Sequence, residues 1–498
     1  MQKVDPGKFG DLEMKGEFTV ASAHPLSTNI GMKIMEKGGN SYDAAIAVSA
    51  ALTVVQPNLN GLGGDMFAIV KDGAVSALNG SGPASEMATV EFFRKSGFNE
   101  IPNRGALSSF SVPGLASSWQ LLHERCTMRF HELVQPAADL ARNGFRISAG
   151  ISWAISRMKG YDSDWEGIYK PAEKDGILYQ AALGKTLERI GQDYAYGFYH
   201  GDIAKQIEED MITKGGLMRF SDLDSYSAQW VDPMRVRYRG YDVYTNPPPS
   251  QGVTSLMWLN MLDRVQLGSM EAGNYFSEMI DKMLVAYDYR SRYIADPSYV
   301  RFPSELLEKD AVYDPPALKG KGQEKNSDTT AFSVFDGDTG ISAIQSNYMG
   351  FGSGHSIKGS GINMNNRGCY FTLNTEHHNA LMPGKKTFHT LMAVYAQGEK
   401  KIFLGTMGGD VQPQINVQIL SGIIDLGRRA QEAVAYPRYV YPASIYGDAD
   451  IYYEESLRLG KYKQVKDNNS MTGHAQAIVV GDSTEPGFDP RGDGLLKY

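Results

Sequence analysis

Cysteine is nearly absent from this chain, because its 498 residues include only Cys126 and Cys369. Two cysteines are too few for a disulfide scaffold and leave no CxxC metal motif, so a reducing compartment is the simpler expectation, with one bridge left open. The sequence also lacks any run of about 18 apolar residues, and its start contains no apolar core of signal-peptide length. We therefore expect no membrane segment and a cytoplasmic location, unless an export signal has been removed.

A basic surplus is missing as well. The 57 acidic and 49 basic residues give a net charge of -8, whereas nucleic-acid binders normally carry a basic stripe. Nucleic acid is therefore not an expected partner. The hydrophobic content of 42% and charged content of 21% are ordinary for a soluble globular protein.

Motifs for metals and phosphates are also missing. The adjacent pair His377-His378 has no HExxH partner set, so no metal site is expected. The Gly-rich loop at residues 60–65 lacks the GxxxxGK[ST] pattern and precedes a strand, which favours close backbone packing over a phosphate cradle. No cofactor is expected.

The most informative stretch that is present begins at Asp328. Residues 303–327 are charged, contain Pro and Gly and have no hydrophobic period, so they are expected to form an exposed linker. From Thr330 the pattern becomes that of a strand, followed by a turn at 337–340 and a second strand at 341–345. Thr329 thus lies where a linker meets a buried sheet.

This position suits a nucleophile that is released by self-cleavage. The Thr329 hydroxyl would attack the Asp328 carbonyl, and hydrolysis of the resulting ester would leave Thr329 as a new N-terminus. Its α-amino group, with a pKa of about 7.7 to 8.0, would then serve as the general base. The competing interpretation is structural, since β-branched residues commonly begin strands.

Strands and helices alternate along the rest of the chain. The pattern predicts an N-terminal strand at 17–23, two helices, a hairpin at 66–78, a strand at 108–112, a mostly helical middle region, and a β-rich part after Thr329. The longest helix is predicted at 275–295. Strands with helices on both sides indicate a layered sandwich.

Several short blocks resemble the γ-glutamyltranspeptidase family of N-terminal-nucleophile hydrolases, in the family's order and over nearly the whole chain. The blocks are Ala23-His24-Pro25-Leu26, residues 38–45, Asn60-Gly61-Leu62-Gly63-Gly64, Asp328-Thr329-Thr330, Gly352-Ser353-Gly354 and Gly408-Gly409. The resemblance implies an α+β fold, a four-layer αββα sandwich built jointly from two fragments. The first, 1–328, would be helix-rich and end in the linker 303–328. The second, 329–498, would be β-rich and carry the nucleophile.

The resemblance also implies catalytic roles. Thr329 matches the family's nucleophile, and Gly408 and Gly409 match the pair whose N–H groups form the oxyanion hole, where oriented donors contribute about 3 to 4 kcal/mol. A Gly-Gly pair is otherwise a tight turn. The family has a second threonine on the neighbouring strand, which corresponds to Ser346 or Asn347, because the alignment is uncertain by one residue. Asn347 is slightly favoured.

The residues that would bind substrate depart from the family's pattern. The arginine that grips the α-carboxylate of γ-glutamyl substrates is missing from the matching segment, 78–83, and the aspartate that holds the α-amino group is replaced. Arg367, gained nearby, could bind a carboxylate bidentately, which favours an acidic substrate. Arg367 could instead form a structural salt bridge, and the gained His389 could belong to the core. The candidate substrate-binding residues are Ser346, Asn366, Arg367, Tyr370, His389 and Thr390.

Two classes of function follow. The first is a self-processing γ-glutamyltransferase-like enzyme that passes an acyl group from a small amide to water or an amine acceptor. Within this class, an oxamate-like amidohydrolase or an acylase is the alternative. The second class is an unprocessed, non-catalytic family member that acts as a binding or scaffold protein. The expected partners are an acidic small-molecule amide and the chain's own two fragments, and a homo-oligomer is left open.

Overall fold

Two antiparallel sheets of six strands each pack face to face in the computed structural model, which describes residues 18–158, 161–317, 320 and 328–493. In spatial order, the first sheet contains β1 (Thr19–Ser22), β9 (Asp328–Phe335), β10 (Gly340–Tyr348), β2 (Asp65–Asp72), β3 (Ala74–Asn79) and β6 (Gln229–Val231). The second contains β17 (Thr484–Phe488), β16 (His474–Val480), β12 (Lys401–Met407), β11 (Ala393–Gln397), β8 (Tyr241–Thr245) and β7 (Met234–Tyr238). Small sheets pair β4 (Phe145–Arg146) with β5 (Ile177–Leu178), and join β13 (Tyr439–Val440), β14 (Tyr452–Glu454) and β15 (Lys463–Val465).

Fifteen α-helices lie within the described residues, and some of them cover the outer faces of the two sheets. They are α1 (Pro25–Glu36), α2 (Ser41–Val55), α3 (Val90–Lys95), α4 (Leu115–His123), α5 (Phe130–Asn143), α6 (Ala149–Arg157), α7 (Ser163–Asp175), α8 (Ala181–Asp193), α9 (Tyr196–Tyr199), α10 (Asp202–Thr213), α11 (Phe220–Asp224), α12 (Val253–Leu262), α13 (Ala272–Tyr293), α14 (Gln412–Ile424) and α15 (Ala430–Ala435). The first two pack with the first sheet, and α12 and α14 pack on the second. The architecture is the expected α+β, four-layer αββα sandwich. None of the described helices is both long and apolar enough to span a membrane.

The helix α2 shows how the sequence produces this layering. Asn40 and Asp43 form a reciprocal capping box that starts the helix. All residues of the helix are buried, and its many alanines allow it to lie closely over β9 and β10. Helix α2 therefore forms a close-packed layer on the outer face of the first sheet.

Alternation along β9 decides where its side chains point. Phe332 and Val334 belong to the core shared with the helices, whereas Ala331 and Phe335 belong to the core between the sheets. Since successive side chains alternate across a strand, Thr329 shares the inter-sheet face with Ala331. The predicted nucleophile therefore lies at the end of the space between the two sheets.

Two sequence predictions need comment. The strand predicted at 108–112 was wrong, because Ala106–Ser108 form a 3-10 turn and Ser111 makes only an isolated bridge to Ala84. Its apolar residues are buried as extended loop, so the burial pattern resembled that of a strand. Of the predicted linker, Ser304–Leu307 form a 3-10 turn with Leu306 buried, and residues 318–319 and 321–327 lie outside the described residues.

Candidate active site

A single serine, Ser346, forms hydrogen bonds with both the Thr329 hydroxyl and the Asp328 carbonyl, the two groups that would react in self-cleavage. Thr329 is fully buried, and its Oγ1 donates to Ser346 Oγ at 3.3 Å. The Ser346 hydroxyl in turn donates to the carbonyl oxygen of Asp328 at 2.5 Å, while it accepts the Tyr348 N–H at 2.7 Å. The nucleophile, the carbonyl it would attack and a hydroxyl donor to that carbonyl thus lie together.

The preference for Asn347 as the partner of the Thr329 hydroxyl was wrong. Gln345 pairs with Thr330 and Tyr348 pairs with Asp328, so two residues of β10 stand opposite Thr329 in a bulge. The Asn347 amide points elsewhere and donates to the carbonyl of Asn363 at 3.2 Å. Ser346 is therefore the hydroxyl-bearing neighbour on β10.

The Gly408-Gly409 turn lies at the same end of the sandwich. Phe403 packs against Phe335 with ring centroids 5.8 Å apart, and a Cβ on Gly405 would lie 2.9 Å from the Cβ of Ala331. These contacts mean that β12 crosses β9 in the opposite direction, so β12 ends where β9 begins. Gly409 has a φ of +56°, a left-handed conformation that favours glycine. Gly408 and Gly409 therefore form a tight turn, as the structural interpretation of the Gly-Gly pair predicts. This turn also lies at the end of the sandwich where Thr329 lies.

A buried carboxylate, that of Asp65, lies on the strand next to that of Ser346, so polar residues occupy three adjacent strands. Asp65, at the start of β2, pairs in register with Ser346. His389 Nδ1 accepts the Leu391 N–H at 3.3 Å, so its Nε2 carries the proton and donates to Asp65 Oδ2 at 3.0 Å. Burial, aided by Arg367, holds the pKa of His389 well below its usual range. His389 is therefore a neutral donor to Asp65.

Arg367 is buried beside the same carboxylate. Its Nε lies 3.7 Å from Asp65 Oδ2, its Nη1 donates to Thr390 Oγ1 at 3.1 Å, and its guanidinium stacks 4.2 Å from the Tyr348 ring centroid. Burial raises the pKa of Asp65 to about 7, against the effect of Arg367. Nη2 has no hydrogen-bond partner among the described residues. Arg367 is thus part of a structural ion pair and also retains buried N–H groups, at Nε and Nη2, that make no hydrogen bond among the described residues.

The remaining two predicted binding residues make contacts within the protein. Asn366 donates to the carbonyl of Asn103 at 2.7 Å and accepts the Met349 N–H at 3.1 Å, so both ends of its amide brace loops. Tyr370 donates to Asp410 Oδ1 at 2.7 Å. A substrate contact from either side chain stays a prediction, and the bracing role of Asn366 argues against one.

Some residues of this region were missed in the sequence. Asp65 directly follows the Gly-rich block, and a carboxylate at the start of a buried strand was the available signal. Arg104 donates to the carbonyl of Gly350 at 2.8 Å and lies near the Asp328 side chain, whose pKa is raised by burial to about 6 against the effect of Arg104. No local pattern pointed to Arg104.

Metal ligands do not converge in the part of the chain that the structure describes. His377 and His378 stack on each other with ring centroids 4.2 Å apart. The described site contains hydroxyl groups, backbone N–H groups and the buried Asp65–His389–Arg367 cluster.

Comparisons with known proteins identify relatives of the whole chain. The family model for gamma-glutamyltranspeptidase matches residues 27–497. The glutathione hydrolase-like YwrD proenzyme of Bacillus subtilis is 34% identical, with 95% of this chain and 97% of the relative covered. The oxamate amidohydrolase proenzyme of Klebsiella pneumoniae is 29% identical, with 95% and 96% covered. The crystal structure of cephalosporin acylase from Bacillus halodurans superposes with a TM-score of 0.86 at 28% identity, covering 99% of this chain and 98% of that one.

Proposed function

Because this chain belongs to the gamma-glutamyltranspeptidase family of N-terminal-nucleophile hydrolases, we propose that it cleaves itself before Thr329 and then acts on a small acidic amide through an acyl-enzyme. Family membership makes it an amide hydrolase of this type. The proposal for its mechanism depends on one observation, the hydrogen-bonded series from Thr329 Oγ1 through Ser346 to the Asp328 carbonyl.

Self-cleavage would begin with attack of Thr329 Oγ1 on the carbonyl carbon of Asp328. The carbonyl oxygen gains negative charge as the tetrahedral intermediate forms, and the Ser346 hydroxyl already donates to this oxygen. Breaking the C–N bond transfers the acyl group from nitrogen to oxygen, and the Thr329 nitrogen takes up a proton. Water then hydrolyses the ester, which frees the Asp328 carboxyl group and the Thr329 amine.

Turnover would use the same hydroxyl. The free α-amine of Thr329 accepts the hydroxyl proton, the oxygen attacks the amide carbonyl of the substrate, and the N–H groups of Gly408 and Gly409 bind the oxyanion. The leaving amine takes the proton as the acyl-enzyme forms. Water releases the acid in hydrolysis, and an amine acceptor takes the acyl group in transfer.

The charges near the site favour an acidic acyl donor. Arg367 keeps a buried N–H group at Nη2, which suits a carboxylate. The two buried carboxylates nearby both carry cationic partners, since Asp65 pairs with Arg367 and Asp410 pairs with Arg290 at 3.1 Å. A substrate ammonium group would have to compete with these cations. This observation favours a carboxylate-bearing amide without an α-amino group, in the manner of the oxamate amidohydrolase relative, and γ-glutamyl compounds are the second candidate.

Denaturing mass spectrometry of fresh protein tests the processing step. We expect two fragments, the smaller beginning Thr329-Thr330-Ala331, and an intact chain without turnover for Thr329→Ala. Cleavage that survives in Thr329→Ala would contradict the proposed nucleophile. A wild-type chain that stays intact and inactive would support the non-catalytic alternative instead.

A matched pair of substrates separates the two donor classes. Glutaryl p-nitroanilide and γ-glutamyl p-nitroanilide differ only by the α-amino group, so their kcat/KM ratio isolates its effect. We expect the glutaryl compound to be preferred. Preference for the γ-glutamyl compound would restore the donor class that the family resemblance implies.

A further inference from the structure

We infer that Arg290 and Gln251 are positioning residues that hold the Gly408-Gly409 turn in the orientation required for oxyanion binding. This inference rests on the proposed function. Both residues precede Thr329 in the chain, Gln251 just before α12 and Arg290 within α13, and neither touches the reacting atoms in the proposed mechanism. Their side chains donate hydrogen bonds to the turn, to the wall of the proposed pocket and to the carbonyl of Ala443.

Three consecutive carbonyl groups, those of residues 408–410, each accept a hydrogen bond from within the protein. The Val411 N–H donates to the Gly408 oxygen at 3.1 Å, and Gln251 Nε2 donates to the Gly409 oxygen at 2.8 Å. The Tyr287 hydroxyl donates to the Asp410 oxygen at 2.6 Å. In a trans peptide the carbonyl and the following N–H point in opposite directions. The Gly408 carbonyl therefore orients the Gly409 N–H group. The Val411 N–H group that holds this carbonyl belongs to the same peptide unit as the Asp410 carbonyl, which Tyr287 and Arg290 contact.

Arg290 organises the groups that do this. It is fully buried, and its Nη1 lies 2.8 Å from Gln251 Oε1, 3.1 Å from Asp410 Oδ1 and 3.2 Å from the Asp410 carbonyl oxygen. By occupying the oxygen of the Gln251 amide, it sets which end of that amide donates to Gly409. A planar guanidinium can serve several acceptors in fixed directions, which a lysine ammonium cannot reproduce.

The charge of Asp410 gives Arg290 a second effect. Asp410 directly follows the turn, and an unpaired carboxylate there would repel the negative charge that develops on the substrate oxygen. Its Oδ1 receives both Arg290 and the Tyr370 hydroxyl, at 3.1 Å and 2.7 Å. Arg290 therefore balances this charge while it orients the turn.

Gln251 also links the turn to the proposed substrate pocket. The same Nε2 that donates to Gly409 donates to the carbonyl of Thr390 at 2.7 Å. Thr390 in turn accepts from Arg367 through its hydroxyl at 3.1 Å. One amide thus sets the spacing between the oxyanion turn and the wall that carries Arg367.

The test measures kcat and KM per processed molecule for the wild type, Arg290→Lys and Gln251→Met, with the processed fraction determined by mass spectrometry. Lysine keeps the charge and methionine keeps the volume. Because the oxyanion forms only after binding, we expect kcat to fall about 10- to 100-fold in both variants while KM changes less than about threefold. Arg239→Lys is the control, since the Arg239 side chain also combines an ion pair, to Asp425, with hydrogen bonds to carbonyls, at the opposite end of α14 from Asp410. We expect it to lower Tm and leave kcat unchanged.

The possible outcomes are distinguishable. A Tm loss with unchanged kcat in both Arg290→Lys and Gln251→Met would overturn the positioning role, because they would then behave like the control. If Arg290→Lys fails to fold, Gln251→Met alone decides by the same criterion. A wild type that neither cleaves itself nor turns over would refute the proposed function, and the inference would fall with it. An active wild type with unaffected variants would refute the inference alone.

Discussion

At the scale of single residues, the site combines an uncharged reaction centre with a charged periphery. Thr329 and Ser346 are fully buried hydroxyls, whereas the ions lie around Asp65, on the strand next to that of Ser346. A buried charge is tolerated only with a partner, and here each ion pair is also attached to a neutral donor, His389 in one case and Tyr370 in the other. The charges can therefore recognise and orient groups without entering the covalent steps.

The role of Ser346 gives a prediction at this scale. Ser346→Ala removes the donor to the Asp328 carbonyl, so self-cleavage should slow by about 100- to 1000-fold, the range found for loss of one oxyanion donor. The decay of the intact chain, followed by denaturing mass spectrometry, measures this rate. Ser346→Thr keeps the hydroxyl and is expected to cleave at a rate near that of the wild type. Equal rates for the alanine and threonine variants would show that the hydroxyl is not used.

At the scale of elements, the register between β9 and β10 decides which side chain meets the nucleophile. Regular alternation sends Gln345 toward the helices, where its amide donates to the carbonyl of Ser49 at 3.1 Å. It sends Ser346 toward the inter-sheet space. A shift of one residue would have exchanged these faces. The register between β9 and β10 is therefore part of the site and not only of the fold.

Close packing of the sheets gives a second prediction. A Cβ at Gly405 would lie 2.9 Å from the Cβ of Ala331 and 3.2 Å from the carbonyl oxygen of Ala343, so Gly405→Val should force β12 away from the first sheet. We expect a loss of about 1 to 3 kcal/mol in the free energy of unfolding, as for other overpacked cores.

Thermal and denaturant unfolding measure this loss. Gly167→Ala in α7 is the control, because nothing lies within 4 Å of a Cβ there. It should leave stability unchanged or raise it by up to about 1 kcal/mol. A valine variant as stable as this control would mean that the sheets can separate without cost.

At the scale of the whole molecule, the strands on either side of the proposed cleavage point are interleaved. In the first sheet β9 and β10 lie between β1 and β2, and in the second sheet β11 pairs with β8. Each sheet therefore contains strands from before and after Thr329. Cutting one peptide bond removes none of these pairings.

We accordingly expect the processed fragments to remain one particle. Native size-exclusion chromatography should show both fragments in a single peak, and gel electrophoresis in denaturant should separate them. The hydrogen bonds and the buried inter-sheet core hold them together, so dissociation should require global unfolding. Separate native peaks would contradict the shared core. Thr329→Ala, which should stay intact, provides the elution reference.

The sequence by itself determined the layered α+β architecture, the hairpin after the Gly-rich block, and the proposal that Thr329 begins a second fragment. These follow from local signals: side-chain periodicity, turn residues, and short blocks whose order is characteristic of the family. The glycine pair 408–409 was identified in the same way. The sequence was enough to find these features, because each signal lies within a few residues of the chain.

Only the tertiary structure decided the partners of the reacting groups. Ser346 replaced Asn347 because of the register between β9 and β10, which no residue of β10 encodes alone. Asp65 meets Arg367 and His389 from about 300 positions away, and Arg290 reaches Asp410 across the second sheet's helical layer. Such contacts arise from packing between distant segments, and hydrophobic periodicity carries no information about which buried polar groups will meet.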